Sequence, residues 1–106
     1  MIKVSTFYPN EEDKKFDMDY YCRSHIPMVQ EKLGAALKGA SVEQGLSTID
    51  SGSPPVYVAI GHLLFNSVEA FQSAFGPHAE AIMEDVPNYT DIYPIFQISE
   101  VKTILL

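Results

Sequence analysis

The sequence predicts an α+β domain of the split-βαβ, ferredoxin-like class, with elements in the order β-α-β-β-α-β. Three observations predict it. Four stretches, at 2–8, 40–49, 56–65 and 95–105, read as strands, the first by alternation of inward and outward residues. Two others, at 18–33 and 68–86, carry apolar residues at spacings of three and four and read as amphipathic helices. The 106 residues, 46% hydrophobic and 20% charged, have the size and composition of a single domain covering residues 1–106.

Each element has its own signal. Ile2, Val4, Thr6 and Tyr8 alternate with Lys3, Ser5 and Phe7. Pro9-Asn10 and the charged run from Glu11 to Lys15 make a polar loop. Asp17 is placed to cap the first helix, with Asp19 in the first turn, where the helix dipole favours an anion. Met18, Tyr21, Cys22, His25, Val29 and Leu33 form its inward stripe. Pro27 cannot donate to the carbonyl of Arg23, which predicts a kink near Ile26-Pro27, and Gly34 predicts the stop. A turn at Ser51-Gly52-Ser53-Pro54-Pro55 separates the second and third strands. Asn66 is placed to cap the second helix, with Glu69 in the capping-box position. Its stripe is Val68, Phe71, Phe75, His78, Ile82 and Val86, interrupted by Gly76-Pro77. A loop at 87–91 leads to the last strand.

Composition removes several classes of function. Fourteen acids against seven Lys and Arg give a net charge of −7. Nucleic-acid affinity comes largely from neutralising phosphates, so neither nucleic acid nor an anionic membrane is an expected partner. The apolar run at 56–65 is half the length of a membrane span, and no secretory leader is expected at the start. A single cysteine, Cys22, excludes an internal disulfide and points to the reducing cytoplasm.

The third strand argues for a second copy. By alternation Val56, Val58, Ile60 and Leu64 share one face, while Tyr57, Ala59, Leu63 and Phe65 share the other. Two helices cover only one face of such a sheet, so the second apolar face needs a partner, and a homodimer stacking sheet on sheet supplies it.

Chemistry centres on the histidines, whose protons exchange near neutral pH. His25 lies four residues after Tyr21 on the same helix face, beside the Pro27 break. His78 follows Gly76-Pro77 on the second helix. Two broken helices with inward histidines predict a cavity between helices and sheet. Tyr21 and His25 are the candidate catalytic residues, with His78, Phe75, Tyr57 and His62 lining the pocket. No metal site is expected: there is no His-x-x-x-His pair and no cysteine cluster. No cofactor is expected either, because no glycine-rich phosphate loop or dinucleotide fingerprint occurs.

The run Phe16-Asp17-Met18-Asp19-Tyr20-Tyr21-Cys22-Arg23-Ser24-His25-Ile26-Pro27-Met28, the helix from Phe71 to His78, and the loop Asn88-Tyr89-Thr90-Asp91-Ile92 resemble the EthD family, named for ethyl tert-butyl ether degradation. The resemblance covers nearly the whole chain, and Tyr-x-x-x-His-x-Pro is its most specific part. It implies a dimeric α+β barrel of two ferredoxin-like subunits, accompanying oxidative breakdown of organic compounds as an oxidoreductase-type protein. Only His25 and Tyr21 carry over as site residues. Two functions are then expected as rivals. One is an acid–base enzyme on a small apolar or aromatic molecule, with His25 moving the proton and Tyr21 donating to an oxyanion. The other is a non-catalytic accessory protein holding an intermediate for a partner oxygenase.

Overall fold

The computed structural model describes residues 1–106. Four strands, β1 (Ile2–Pro9), β2 (Gly39–Gln44), β3 (Tyr57–Phe65) and β4 (Ile95–Glu100), pair antiparallel in the order β2-β3-β1-β4. The two helical segments cover one face. The first runs from α1 (Met18–Tyr20) through a π-turn (Tyr21–His25) into α2 (Ile26–Leu33). The second joins α3 (Val68–Phe75) to α4 (Ala79–Glu84) through a 3-10 turn (Gly76–His78), and a further 3-10 turn (Val86–Asn88) follows. This is the α+β, ferredoxin-like arrangement that the sequence predicts.

Local chemistry explains the helix boundaries. Asp17 Oδ1 accepts from the Tyr20 amide at 3.0 Å, the expected N-cap. Gly34 ends α2 at φ 57, a backbone conformation that favours glycine. The kink expected near Pro27 takes the form of the π-turn: the Ile26 amide reaches back five residues to the Tyr21 carbonyl. The wider turn rotates Cys22 to the surface, so that member of the predicted inward stripe is exposed. Ser67, not Asn66, caps α3. Its Oγ accepts from the Ala70 amide at 3.0 Å, and Glu69 sits in the first turn outside the capping-box geometry.

Both edge strands are shorter than predicted. β2 ends at Gln44, where Gly45 crosses so close to the Tyr57 carbonyl that no Cβ fits. Leu46 and Ile49 are consequently exposed. β4 ends at Glu100, opposite Ile2, and just beyond it the Val101 amide donates to the Met1 carbonyl at 3.0 Å.

A bulge reverses part of the predicted β3 pattern. Tyr8 pairs with Ala59 but Pro9 with Tyr57, leaving Val58 as the extra residue. Tyr57 therefore joins Phe7 on the face away from the helices, ring centroids 5.1 Å apart. Val58 packs instead against the buried cluster that contains Tyr8, Tyr21 and Tyr89. On the helix-free face Phe7, Ile60 and Leu64 surround a polar line in which His62 meets Ser5 Oγ at 2.7 Å through Nδ1 and Glu43 Oε1 at 2.9 Å through Nε2.

The core divides into two clusters, one of Ile2, Val4, Val29, Leu33, Phe65 and Ile82, the other of Tyr8, Tyr21, Ala59, Tyr89 and Ile92. Gly61 fixes the second. A Cβ at that position would collide with the Tyr21 hydroxyl, which occupies the space that any side chain would need. Gly61→Ala is expected to cost about 1–3 kcal/mol through overpacking, measured by urea unfolding. Tyr21→Phe in the same background should recover part of that loss; an alanine variant as stable as the parent would contradict the contact.

Candidate functional site

The end of the second helical segment is fastened to the start of the first. Phe16 bridges Thr90, the Asp17 amide donates to the Tyr89 carbonyl at 2.8 Å, and Thr90 Oγ1 donates to the Lys15 carbonyl at 2.6 Å. The Lys15 amide donates to Asp91 Oδ1 at 2.9 Å, and hydrogen bonding from that amide is the main reason that the Asp91 carboxyl is held low. These ties place Tyr89, fully buried, against Tyr21 and His25, with ring centroids 4.9 and 4.7 Å away. The π-turn places Tyr21 and His25 nearly in line along the helix, their rings stacked at 5.6 Å and 14°.

His25 is only 5% exposed, and its Nδ1 donates to Asp85 Oδ2 at 2.9 Å. Asp85 caps the end of α4. Its other oxygen, Oδ1, accepts from Tyr20 Oη at 2.6 Å and Asn88 Nδ2 at 3.0 Å. Burial alone would raise this carboxyl, but the hydrogen bonds from Tyr20, Asn88 and His25 outweigh it and leave Asp85 below the ordinary carboxylate range. His25 is pushed below its usual value by burial, which the Asp85 charge offsets only in part. The imidazole is thus neutral near pH 7, with the proton held on Nδ1 by the carboxylate. Nε2 has no protein partner and is not sealed off, so it faces the adjoining cavity.

That cavity has a volume of about 300 Å³ and lies between the helices and the β1–β3–β4 part of the sheet. Its walls are mainly apolar, among them Val29, Phe71, Phe75 and Ile82, and include no Lys, Arg, Asp or Glu. Tyr8, Tyr21 and Tyr89 bring hydroxyls to one end, those of Tyr8 and Tyr89 sharing a hydrogen bond of 2.7 Å. Burial, above all, pushes each of these phenols far above the ordinary tyrosine value. They are therefore neutral donors throughout the physiological range.

Of the residues predicted for the site, Tyr21, His25 and Phe75 come together around this cavity. His78 does not: it is half-buried in the 3-10 turn and is not part of the wall, because that turn breaks the helical spacing that was to carry it inward. The Val58 bulge turns Tyr57 to the opposite sheet face. His62 adjoins the cavity from its strand but directs its ring to Ser5 and Glu43 on that other face. No group of three His, Cys, Asp or Glu side chains is placed to hold a metal ion. Sequence reasoning missed Asp85, Tyr8, Tyr89 and Thr6. The inward alternation of β1 already marked Tyr8 and Thr6; Asp85 had no such signal, since its partner lies 60 residues away.

The His25–Asp85 pair sets a pH dependence of stability. Both groups have folded pKa values below their unfolded ones, so the unfolded chain takes up protons first on acidification. Stability is expected to be complete above pH ~6.5 and to fall below it, first through His25 and near pH ~4 through Asp85. Urea unfolding of the parent and of His25→Gln between pH 7.5 and 5 checks this. The variant should lose the upper part of the slope; a parent that gains stability over that interval relative to the variant would contradict it.

The model of the EthD domain matches residues 10–92. No curated protein matches the sequence. Among solved structures, the chain is similar to an EthD-like protein from Ralstonia eutropha, at 45% identity over 96% of this chain and 92% of that one, with a TM-score of 0.92. An EthD-family protein from Bacillus halodurans is 15% identical over 95% of this chain and 98% of that one, with a TM-score of 0.66. A protein of Arabidopsis thaliana shares 13% identity over 100% of both chains, with a TM-score of 0.69; these two likenesses concern the fold alone. With most of its length inside the domain match and a solved relative at 45% identity, the chain belongs to the EthD family.

Proposed function

We propose that the protein binds a small apolar or aromatic organic molecule in the cavity between helices and sheet and acts on it as an acid–base enzyme, with His25 as general base. The observation that carries this reading is the Asp85-held imidazole presenting Nε2 to an apolar cavity whose walls hold no Lys, Arg, Asp or Glu. Asp85 fixes the tautomer and stabilises the imidazolium that forms when Nε2 accepts a proton. Tyr21, neutral and stacked on His25 with ring centroids 5.6 Å apart, would donate to negative charge developing on the substrate. Proton transfer of this kind needs no nucleotide. Within oxidative catabolism, which the family name suggests, it fits isomerisation, cyclisation or activation of a carbon acid for later oxidation, in the cytoplasm. We further propose that two copies pair through the helix-free sheet face, where Phe7, Ile60 and Leu64 are only half-buried; no helix is long and apolar enough to cross a membrane.

A panel of small aromatic carbon acids in D₂O, followed by NMR, tests the catalytic part. The parent should bind one or more members and exchange their acidic protons, with a rate that falls only as His25 becomes protonated, below the ordinary imidazole value of about 6.5. His25→Gln should lose about 10²–10⁴-fold in exchange while still binding. Binding without exchange in the parent, unchanged in the variant, would favour the accessory, non-catalytic role. For the dimer, sedimentation should return twice the 11.8 kDa chain mass, and Ile60→Asp should halve it; a monomeric parent would overturn the pairing.

A further inference from the structure

The cavity carries a second free hydroxyl, from the sheet. Thr6 stands in mid-strand on β1, directly opposite Gly61 of β3 and Phe96 of β4. Facing side chains of an antiparallel pair lie about 4.5–5.5 Å apart at Cβ. Gly61 leaves its place empty, and the Tyr21 hydroxyl fills it. The Thr6 side chain and Tyr21 Oη are therefore neighbours across the β1–β3 pair, and both residues line the cavity. Thr6 Oγ1 makes no hydrogen bond within the protein, Tyr21 Oη has only the Tyr8 hydroxyl beside it, and neither atom is sealed off without a partner, so both open to the cavity.

The geometry points to an oxygen-binding subsite formed by Thr6 Oγ1 and Tyr21 Oη, fitted to an uncharged, enolisable carbonyl compound whose acidic carbon faces His25. This rests on His25 being the base. The ligand is uncharged because the walls offer no Lys or Arg to a carboxylate or phosphate, and the chain's net charge of −7 repels anions. It carries oxygen because a plain hydrocarbon would leave the Thr6 hydroxyl without a partner, and Tyr21 with none but Tyr8, in an apolar enclosure. It is small, since about 300 Å³ lies at the lower end of ligand-site volumes.

The step balances within the site. Nε2 of His25 takes the proton from the carbon next to the carbonyl. The C–H electron pair becomes the carbon–carbon double bond of the enolate, and the carbonyl π pair moves to oxygen. That oxygen then accepts hydrogen bonds from Tyr21 and Thr6. The proton returns from Nε2 to a conjugated carbon, shifting the double bond, or to the same carbon after exchange with solvent.

The test uses 2-tetralone, an uncharged bicyclic ketone, and tetralin, the hydrocarbon without its oxygen. Ligand-observed NMR reads binding, and deuterium uptake next to the carbonyl reads proton transfer. The parent is expected to bind 2-tetralone about tenfold more tightly than tetralin and to exchange its protons. Thr6→Val, of nearly the same shape, should slow exchange about 10²-fold, the usual loss for one oxyanion donor. Thr6→Ser should restore it to within tenfold of the parent. Exchange that Thr6→Val leaves unchanged but His25→Gln abolishes would overturn the subsite and leave the base standing. Equal affinity for the two ligands would overturn the subsite as well. No exchange by the parent would overturn subsite and base together.

Discussion

The hydrogen bond of 2.9 Å from His25 Nδ1 to Asp85 Oδ2 is the contact on which the rest of the site depends. It joins the π-turn of the first helical segment to the tail of the second, across 60 residues of chain. An imidazole buried in an apolar wall must satisfy its ring N–H, and leaving such a donor unpaired costs about 1–3 kcal/mol. Asp85 supplies the acceptor, and Tyr20 and Asn88 in turn hold Asp85. A carboxylate with donors on both oxygens keeps its charge while partly withdrawn from water. The result is a fixed ring with one committed nitrogen and one free nitrogen.

The opposite wall depends on an absence. Gly61 gives up a side chain at mid-strand, and Tyr21 reaches into that space from the helix. The π-turn makes the reach compatible with the His25–Asp85 bond, because its wider winding stacks the two rings rather than fanning them apart. The cavity is lined from both core clusters, by Val4, Val29 and Ile82 of the one and by Tyr8, Tyr21 and Tyr89 of the other.

Much of this is legible in the sequence, for reasons that also mark where legibility ends. The order of elements follows from local periodicity, and the Asp17 cap, the Gly34 stop and the break at Pro27 follow from single-residue chemistry. Tyr21 and His25 were readable as a pair because their relation is internal to one helix. Periodicity misplaces Tyr57 and His78 for one shared reason: each lies at an irregularity, the Val58 bulge or the Gly76–His78 turn, that shifts the period by which a face is assigned. Asn66 and Ser67 are both good caps, and only the backbone decides between them. The lengths of β2 and β4 depend on neighbours rather than on their own residues. Asp85 follows Glu84 at a helix end and has the appearance of an ordinary solvated acid; its partners Tyr20 and His25 are remote in sequence.

The central claim is that Asp85 holds His25 neutral, with its proton on Nδ1 and Nε2 turned to the cavity. Titration of His25 by ¹⁵N NMR, in the parent and in Asp85→Asn, tests it most directly. The account predicts the Nδ1–H tautomer in the parent, a pKa below the ordinary imidazole value of about 6.5, and a still lower pKa once the carboxylate's charge is removed. A parent His25 that titrates above 6.5, carries its proton on Nε2, or is indifferent to Asp85→Asn would contradict it.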